Sequence, residues 1–325
     1  MAPRILIVGG AGYIGSACAA TLIEAGWHVA TYDDLSTGHR QAAQGELIVG
    51  DIRDRSRLSG VLQAGGFDAV MHFAAKSLVG ESTRAPLRYY DVNTGGTAAL
   101  VQAMLDASVA CLVFSSTCAI YGNPVSLPLD EEHPRAPVSP YGDSKEMVER
   151  MLAQVREREG LRVTTLRYFN AAGGLPDHGL GESHTPETHL IPLALHAALG
   201  QRPPLALFGD DYDTRDGTCI RDYIHVRDLA SAHQLAMERL LAGDPGDAYN
   251  VGTGVGTTVR EVLESVGRVL GTPVPYVAAP RREGDPPALY AKADKIRQAL
   301  GWEPRLADID DIVGTAAAWA RAPRF

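Results

Sequence analysis

Through the first half of the chain, short runs of aliphatic and β-branched residues alternate with longer amphipathic stretches. A short apolar run predicts a strand that is buried on both faces, whereas apolar residues three and four positions apart predict a helix. Strands are predicted at residues 4–10, 28–34, 45–51, 68–75, 111–117 and 161–170. Helices are predicted at residues 14–26, 99–108 and 141–160. Because strands and helices alternate in this order, we predict an α/β fold in which a doubly wound parallel sheet carries helices on both faces.

The alternation ends after about residue 170, where glycine, proline and histidine crowd residues 171–189 and shorter elements follow. We therefore predict two domains. Residues 1–170 form the sheet domain, to which a segment near residues 218–250 returns, and residues 171–325 form a smaller α/β domain. Ligands of doubly wound sheets bind beyond the carboxyl ends of the strands. We therefore expect the site in a cleft between the two domains.

The composition is that of an ordinary globular protein, and it excludes several classes of partner. The 325 residues are 45% hydrophobic and carry a formal net charge of −9, which leaves no basic footprint for nucleic acid or an anionic membrane. The four cysteines show neither the spacing of a metal site nor the density of a disulfide framework. We see no cleavable leader and no apolar run of the roughly 20 residues that span a bilayer. These features predict a cytoplasmic protein.

A glycine pattern lies between the first predicted strand and the first predicted helix. Gly9, Gly12 and Gly15 are spaced so that the backbone can turn sharply and approach a pyrophosphate at the helix N-terminus. Asp33, with Asp34 beside it, ends the second strand about 20 residues downstream, where a carboxylate bonds the ribose hydroxyls of an adenosine. This context predicts a Rossmann-type dinucleotide site. The acid favours NAD over NADP because it would repel a 2′-phosphate.

The third and fourth strands also end in residues that suit a dinucleotide. Asp51 follows the third strand and is placed to accept a hydrogen bond from the adenine amino group, although aspartate is also common in ordinary turns. Phe73, Ala74 and Ala75 follow the fourth strand, where they would line the cofactor.

The pair Tyr141-x-x-x-Lys145 begins the long third helix, and residues four apart share one helix face. A phenol has an unperturbed pKa of about 10, but a nearby ammonium favours the phenolate. Tyr141 can then remove a hydroxyl proton while hydride passes from the same carbon to a nicotinamide. Thr117 ends the preceding strand and supplies a hydroxyl that can bond the same oxygen or relay its proton. These residues predict redox chemistry at an alcohol carbon.

Longer motifs extend these patterns along most of the chain. They are GGAGYIGS (9–16), YYDVNTGGT (89–97), FSSTCAIYG (114–122), SPYGDSK (139–145), LRYFNAAG (166–173), FGDDYDTRDGTCIRDYIHVRDLA (208–230), YNVGTG (249–254) and RREGD (281–285). Together they resemble the UDP-glucose 4-epimerases of the extended short-chain dehydrogenase/reductase superfamily, over roughly residues 4–305.

The resemblance implies roles for individual residues. Tyr141 is the general base and acid, Lys145 orients the nicotinamide ribose and lowers the pKa of the tyrosine, and Thr117 assists at the substrate. The implied cofactor contacts, besides the glycines, Tyr141 and Lys145, are Tyr13, Ile14, Asp33, Asp34, Asp51, Ile52, Phe73, Ala74, Ala75, Asn93 and Tyr168. The implied substrate contacts, besides Thr117, are Asn170, His189, Leu190, Phe208, Arg221, Tyr223, Arg282 and Asp285.

The implied reaction is NAD-dependent 4-epimerisation of a UDP-sugar, UDP-glucose or UDP-galactose, without net redox. NAD stays bound and takes hydride from carbon 4, the 4-keto sugar rotates about its diphosphate, and hydride returns to the opposite face. Arg221 and Arg282 suit the diphosphate by their fork geometry, and Asp285 suits the nucleoside ribose. The chemistry requires no metal, and we predict none. The resemblance also implies a homodimer, with the helices at 94–107 and 144–159 as candidates for its interface.

The sequence argues against some alternative functions and leaves others open. A 4,6-dehydratase needs an acid/base pair directly after the threonine, where Cys118 and Ala119 stand, and this argues against it. Sister epimerases acting on UDP-pentoses, UDP-hexuronates or UDP-N-acetylglucosamine remain, since motifs at the level of the fold do not separate them. His189 and Leu289 stand at positions where the family varies, and Leu289 occupies the position thought to gate N-acetylated sugars. A non-catalytic NAD-binding protein should have lost Tyr141 or its partners.

Overall fold

The computed structural model describes residues 2–282 and 284–325. Within them the strands are β1 (Arg4–Val8), β2 (His28–Asp33), β3 (Glu46–Val49), β4 (Ala69–His72), β5 (Cys111–Thr117), β6 (Arg162–Tyr168), β7 (Asn170–Ala172), β8 (Gly174–Leu175), β9 (Leu180–Gly181), β10 (Leu205–Phe208), β11 (Ile220–His225), β12 (Ala248–Val251), β13 (Gly256–Thr258), β14 (Tyr276–Ala279) and β15 (Ala288–Leu289). The α-helices are α1 (Tyr13–Glu24), α2 (Arg55–Gly65), α3 (Val79–Arg84), α4 (Pro86–Tyr89), α5 (Gly96–Asp106), α6 (Pro140–Glu159), α7 (Leu190–Ala198), α8 (Val226–Leu241), α9 (Val259–Leu270), α10 (Asp294–Leu300) and α11 (Ile309–Arg321).

Seven parallel strands form the main sheet, in the order β12-β6-β5-β4-β1-β2-β3. The chain runs outward from β1 to β3 and then returns to the other side of β1, so that β1 and β4 are neighbours. The connections that follow β1 and β4 therefore run in opposite directions across the sheet, which makes this the switch point where doubly wound sheets bind ligands. The predicted α/β fold of the Rossmann type is confirmed.

Both faces of this sheet are buried, as its unbroken apolar strands require. Ile5 and Ile7 of β1 point to one side and pack in a core with α1 and α8. Leu6 and Val8 point to the other side and pack with α2, α5 and α6. Adjacent residues of a strand face opposite sides, and here each side meets its own layer of helices.

A smaller group of elements covers the carboxyl edge of the sheet. Strand β11 pairs with β7 and β15 in parallel and with β13 in antiparallel orientation, while β10 pairs with β14. Helices α7, α9 and α11 bury a separate apolar core with them. Strand β12 lies in the main sheet beside β6, and α8 packs against α1. The predicted domain limits stay a prediction.

The hydrophobic pattern of the sequence did not predict some of the helices in the first half of the chain. Helix α2 buries only Leu58 and Leu62, which is too narrow a stripe to stand out, although Asp54 caps it by accepting a hydrogen bond from the Arg57 backbone nitrogen. The predicted helix at 99–108 begins earlier, because α5 continues a π-helical turn at Tyr90–Gly95 that itself follows α4. None of the helices that the structure describes combines the length and the apolar character that crossing a bilayer requires.

Candidate active site

The glycine turn after β1 leaves no room for side chains at two of its positions. Gly9 has a φ of +84°, and a Cβ there would lie 2.4 Å from the backbone nitrogen of Ala74. A Cβ at Gly15 would lie 2.2 Å from the Gly9 carbonyl oxygen. Gly12 is the N-cap of α1 and provides no side-chain cap, so the first amides of α1 are left for another acceptor. A turn of this shape at a helix N-terminus fits a phosphate group.

Asp33 is held beside this turn at the end of β2. Its carboxylate accepts hydrogen bonds from the backbone nitrogens of Ala11 (3.0 Å) and Leu35 (2.8 Å). Burial raises the pKa of Asp33, and these two hydrogen bonds oppose that shift. The exposed Asp34 accepts from the Ser36 backbone nitrogen at 2.8 Å. The fold thus places Asp33 next to the glycine turn, where the ribose contact was predicted.

Asp51 and Ile52 have other partners in this structure. The Arg53 guanidinium forms an ion pair with Asp51 at 2.6 Å and lowers the pKa of Asp51. Arg53 also pairs with Asp91 at 2.6 Å. Ile52 is 6% exposed and packs in the core of the main sheet. The adenine contact of Asp51 stays a prediction, and the aspartate also serves as an ion-pair partner in its turn.

The end of β4 closes the other side of the switch point. The backbone nitrogens of Phe73 and Ala74 both donate to the Val8 carbonyl oxygen, at 2.7 and 3.0 Å. This sharing turns the chain away from the sheet, and Phe73, Ala74 and Ala75 are half-buried there. The backbone of this segment lies directly against Gly9, where a Cβ would clash with Phe73 and Ala74.

Asn93 links the β4 loop to α6 from the π-helical turn. Its side chain accepts from the Lys76 backbone nitrogen at 2.8 Å and donates to the Lys76 carbonyl oxygen and the Ser144 hydroxyl, each at 3.0 Å. π-Helical turns often mark functional positions because they redirect one side chain. Here the turn directs a buried amide toward the residue that precedes Lys145 on α6.

Tyr13 and Ile14 are the first two residues of α1, directly after the glycine turn. The Tyr13 hydroxyl donates to the Gly173 carbonyl oxygen at 2.7 Å, which joins α1 to the start of the smaller group of elements. Ile14 packs against the cores on that side of the sheet.

The predicted catalytic residues meet at the carboxyl end of β5. Thr117 is the last residue of β5, and Tyr141 is the second residue of α6. Ser139 caps α6 by accepting from the Gly142 backbone nitrogen at 3.2 Å, and Pro140 occupies the first helical position, where its missing N–H costs nothing. This capped start fixes the side chain of Tyr141 beside that of Thr117.

Burial dominates the electrostatics of the pair on α6. Burial raises the pKa of Tyr141 to about 12, and a hydrogen bond with Thr117 opposes this shift. Burial also lowers the pKa of Lys145 to about 7, and the Glu149 carboxylate opposes it. The Lys145 ammonium donates to the Ser115 carbonyl oxygen at 2.7 Å. The expected lowering of the Tyr141 pKa by Lys145 therefore stays a prediction.

Tyr168 ends β6, the strand next to β5. Its hydroxyl hydrogen-bonds to the Ser115 hydroxyl, and desolvation raises the pKa of this partly buried phenol. Tyr168 is the register partner of Thr117, which places it beside the predicted catalytic residues.

A buried ion pair supports α6 on the side that packs against β5 and β6. We did not predict this pair from the sequence. Glu149 and Arg167 each have a side chain that is 4% exposed, and the two pair at 2.6 Å. The Ser116 hydroxyl donates to Glu149 at 2.6 Å, and Arg167 donates to the Tyr121 hydroxyl at 3.0 Å. The signal in the sequence was the spacing 141, 145, 149, which puts a carboxylate on the same helix face as Tyr141 and Lys145.

Four of the predicted substrate residues come together from three separate segments. Arg282 donates to Asp285 at 2.8 Å, and its guanidinium lies 5.6 Å from the centre of the Phe208 ring. Arg221 lies on β11 with one guanidinium nitrogen 3.7 Å from the same Asp285 carboxylate. Two arginines around one carboxylate, with an aromatic ring beside them, can bind a diphosphate and stack a base.

Asp222 organises this region, although the sequence did not single it out. Its fully buried carboxylate accepts hydrogen bonds from the backbone nitrogens of Thr253 (2.9 Å), Gly254 (3.1 Å) and Ala291 (3.1 Å). It thereby ties β11 to the loop after β12 and to the segment after β15. The Asn170 side chain donates to the Asp222 carbonyl oxygen at 3.0 Å.

The remaining predicted substrate residues differ in their surroundings. Tyr223 is 7% exposed, and burial raises its pKa. Leu190 begins α7, and His189 is the N-cap of that helix. The His189 ring contacts the carboxylates of Glu182 (2.7 Å) and Glu187 (2.9 Å). The fold therefore places Glu182 and Glu187 of the same loop beside His189. Comparing only position 189 with the family did not reveal these acidic partners.

Comparison with known proteins agrees with this geometry. Residues 5–252 match the NAD dependent epimerase/dehydratase family. The UDP-glucose 4-epimerase of Rhizobium meliloti is 51% identical over 317 residues, which are 97% of this chain and 96% of that protein.

Solved structures are similar over the whole length. The UDP-glucose 4-epimerase from Brucella ovis in complex with NAD has a TM-score of 0.95 at 48% identity and covers 97% of this chain and 98% of its own. The enzyme from Stenotrophomonas maltophila, with bound NAD and formylated UDP-arabinopyranose, has a TM-score of 0.95 at 39% identity and covers 98% of both chains. This protein belongs to the NAD dependent epimerase/dehydratase family and, within it, to the UDP-glucose 4-epimerases.

Proposed function

We propose that this protein catalyses the NAD-dependent 4-epimerisation of a UDP-sugar, with UDP-glucose and UDP-galactose as its substrates. The observation that carries the proposal is the meeting of Thr117, at the end of β5, with Tyr141, at the start of α6, with Lys145 one turn along that helix. This set lies at the carboxyl edge of a sheet whose switch point holds the glycine turn. The NAD and UDP-sugar complexes of similar enzymes support the same activity.

The residues at the switch point fit a dinucleotide. Gly9 and Gly15 permit the close approach, the uncapped start of α1 offers amides to a pyrophosphate, and Asp33 lies where the ribose would bind. When bound, NAD supplies the acceptor and donor of the hydride that leaves and returns to carbon 4 of the sugar.

Tyr141 moves the proton in this scheme. Its phenol accepts the proton of the 4-hydroxyl and later returns it, and Thr117 bonds the same oxygen. Because burial raises the pKa of Tyr141, the site needs a positive charge close to the phenol for the proton transfer at neutral pH. The ammonium of Lys145 lies on the same helix face and is the cation that this chain provides.

The anchors at Arg221, Arg282 and Asp285 hold the nucleotide part. Bidentate arginine contacts fix a diphosphate firmly, whereas a sugar that must present either face requires few contacts of its own. Binding energy concentrated on the nucleotide lets the 4-keto sugar rotate without leaving the site.

The neighbours of Thr117 disfavour a dehydratase. Burial raises the pKa of the Cys118 thiol to about 12, so it is a poor acid or base at neutral pH. The Ala119 backbone nitrogen donates to the Thr117 hydroxyl at 3.1 Å, and its methyl side chain carries no proton. The turn after β5 therefore supplies neither partner needed to eliminate water.

A sister UDP-sugar 4-epimerase is the second candidate. Leu289 pairs in register with Arg221 and packs, with Cys118, against the same small apolar cluster. It is therefore placed to influence which sugars enter, and the Stenotrophomonas enzyme binds a UDP-pentose derivative.

The homodimer and the cytoplasmic location stay predictions, and the mass of the protein in solution tests the first.

The purified protein should convert UDP-galactose to UDP-glucose without added NAD, because the expected cofactor stays bound and is regenerated in each cycle. A coupled assay for UDP-glucose checks this result. Conversion of only a pentose, uronic or N-acetylated UDP-sugar would assign the sister activity. No turnover with any UDP-sugar would contradict the proposal.

Tyr141→Phe should reduce kcat by at least about 100-fold, as expected when a general base is lost. Retained nucleotide, measured by absorbance after denaturation, should be unchanged, which separates catalysis from cofactor binding. Full activity in this variant would assign the proton transfer to another group.

Arg282→Ala should weaken UDP binding by roughly tenfold or more, since a charge-assisted contact contributes about 1.5–3 kcal/mol. Calorimetric titration with UDP measures the change. Arg268→Ala is a matched control, because Arg268 also forms an exposed pair with an aspartate, Asp310, but lies on α9. Equal effects in both variants would remove Arg282 from the diphosphate site.

Glu149→Gln should reduce kcat more at pH 8 than at pH 6. Burial already lowers the pKa of Lys145 to about 7, and loss of the Glu149 charge should lower it further, so less cationic lysine remains as pH rises. A pH profile of kcat checks this, with Glu149→Asp as the variant that retains the charge. An equal loss at every pH would reduce Glu149 to a structural role.

A further inference from the structure

The loop before α7 brings together four metal-ligating side chains, of which only His189 is among the predicted substrate contacts. These residues, the 182–189 cluster, are Glu182, His184, Glu187 and His189. One donor atom from each lies within 4.8 Å of all the others. We propose that this cluster is a binding site for a divalent transition metal, with zinc as the preferred ion.

The distances between donors suit a small ion. His189 Nδ1 lies 2.7 Å from Glu182 Oε1. His184 Nδ1 lies 3.3 Å from Glu182 Oε1 and 3.7 Å from Glu187 Oε2. Donors bound tetrahedrally at about 2.1 Å from zinc are roughly 3.4 Å apart. The cluster therefore needs only small side-chain shifts to enclose an ion.

Burial gives an independent reason to expect a cation. The Glu182 and Glu187 side chains are only 6% and 12% exposed. Among residues 2–282 and 284–325, the Glu182 carboxylate has no contact with a donor except the two histidines. His184 Nδ1 is buried within the described structure and makes no hydrogen bond of good geometry. A buried carboxylate requires a positive partner, which here is either protonated imidazole or a metal.

Surrounding groups hold the ligands in place. The Trp319 indole nitrogen donates to the Glu182 carbonyl oxygen at 2.8 Å. The backbone nitrogens of Thr188 and His189 donate to Glu187 Oε1 at 2.7 and 2.8 Å, which leaves Oε2 for a metal. Such outer contacts orient ligands in metal sites. A cavity of about 330 Å³ adjoins Glu182 and Glu187 and provides access for an ion.

The donor set selects the kind of metal. Two imidazoles and two carboxylates suit Zn²⁺, whereas Mg²⁺ and Ca²⁺ prefer an all-oxygen shell with more ligands. Sequence spacing did not reveal the site, because four ligands within eight residues match none of the common zinc patterns. The His184 ring also packs edge-on to Tyr13, 6.4 Å between centres, so a bound ion would brace the loop against the start of α1.

Calorimetric titration of the tag-free, chelator-treated full-length protein with ZnCl₂ tests the proposal. The wild type should bind one Zn²⁺ per chain, more weakly at lower pH because protons compete for the ligands. His184→Ala and Glu182→Gln should each weaken binding at least tenfold, since even outer contacts of metal ligands contribute roughly 10–100-fold. His178→Ala is the matched control, because His178 pairs with Glu24 outside the cluster and should bind Zn²⁺ as the wild type does.

Co²⁺ in place of Zn²⁺ provides a second measurement, in which the wild type and His178→Ala should show the visible absorption of a tetrahedral site. Circular dichroism shows that each variant is folded. Absence of one saturable Zn²⁺ per chain, or binding that survives both cluster variants, would overturn the proposal. No sugar or cofactor enters these titrations, so their outcome is independent of the proposed reaction.

Discussion

The close approach of the glycine turn to the end of β4 sets the geometry on which the rest of the site depends. A Cβ at Gly9 would lie 2.4 Å from the Ala74 backbone nitrogen, so only a glycine lets these two chain segments meet. Their contact leaves the carboxyl ends of β1 and β4 side by side, with the start of α1 facing the opening. The ends of β2, β3, β5 and β6 are positioned relative to this opening, because these strands extend the same sheet on either side.

The long helix α6 connects this opening to the chemistry. Tyr141, Lys145 and Glu149 share one face, and the buried Arg167–Glu149 pair fixes that face against β5 and β6. Buried ion pairs contribute little net stability, because desolvation opposes their attraction, but removal of one partner leaves a costly buried charge. The Arg167–Glu149 pair therefore determines the position of α6 more than it contributes to the free energy of unfolding. It joins the residues next to Thr117 and Tyr168, and so the two strand ends and the helix keep one arrangement.

The elements at the carboxyl edge of the sheet contribute the residues that would anchor a nucleotide. They also contain the 182–189 cluster. Asp222 is buried and accepts backbone hydrogen bonds from segments far apart in the chain, which fixes Arg221 relative to Asp285 and Arg282. The 182–189 cluster concentrates opposite charges at the start of α7 in the same way. In both places a buried carboxylate organises a loop-rich region that has little regular secondary structure to do so.

Much of the fold followed from the sequence because its signals are local. Apolar runs predicted the strands β1 to β6, and the glycine spacing with Asp33 predicted the dinucleotide turn, since strand burial and a sharp turn depend on neighbouring residues. The resemblance to UDP-glucose 4-epimerases, carried by motifs such as SPYGDSK, was confirmed by relatives of similar length. Helix α2 was missed because two buried leucines are too few to show a period.

Only the tertiary structure decided which distant residues meet. Arg167 and Glu149 are 18 positions apart, and Arg221 and Asp285 are 64 apart, so no local pattern predicts either pair. The ion pair of Arg53 with Asp91, 38 positions away, likewise depends on backbone directions that a sequence spacing does not contain. The sequence by itself determined the strands β1 to β6, the turn chemistry and the family. The folded chain decided the pairings, because burial and charge compensation arise only when segments far apart in sequence share one interior.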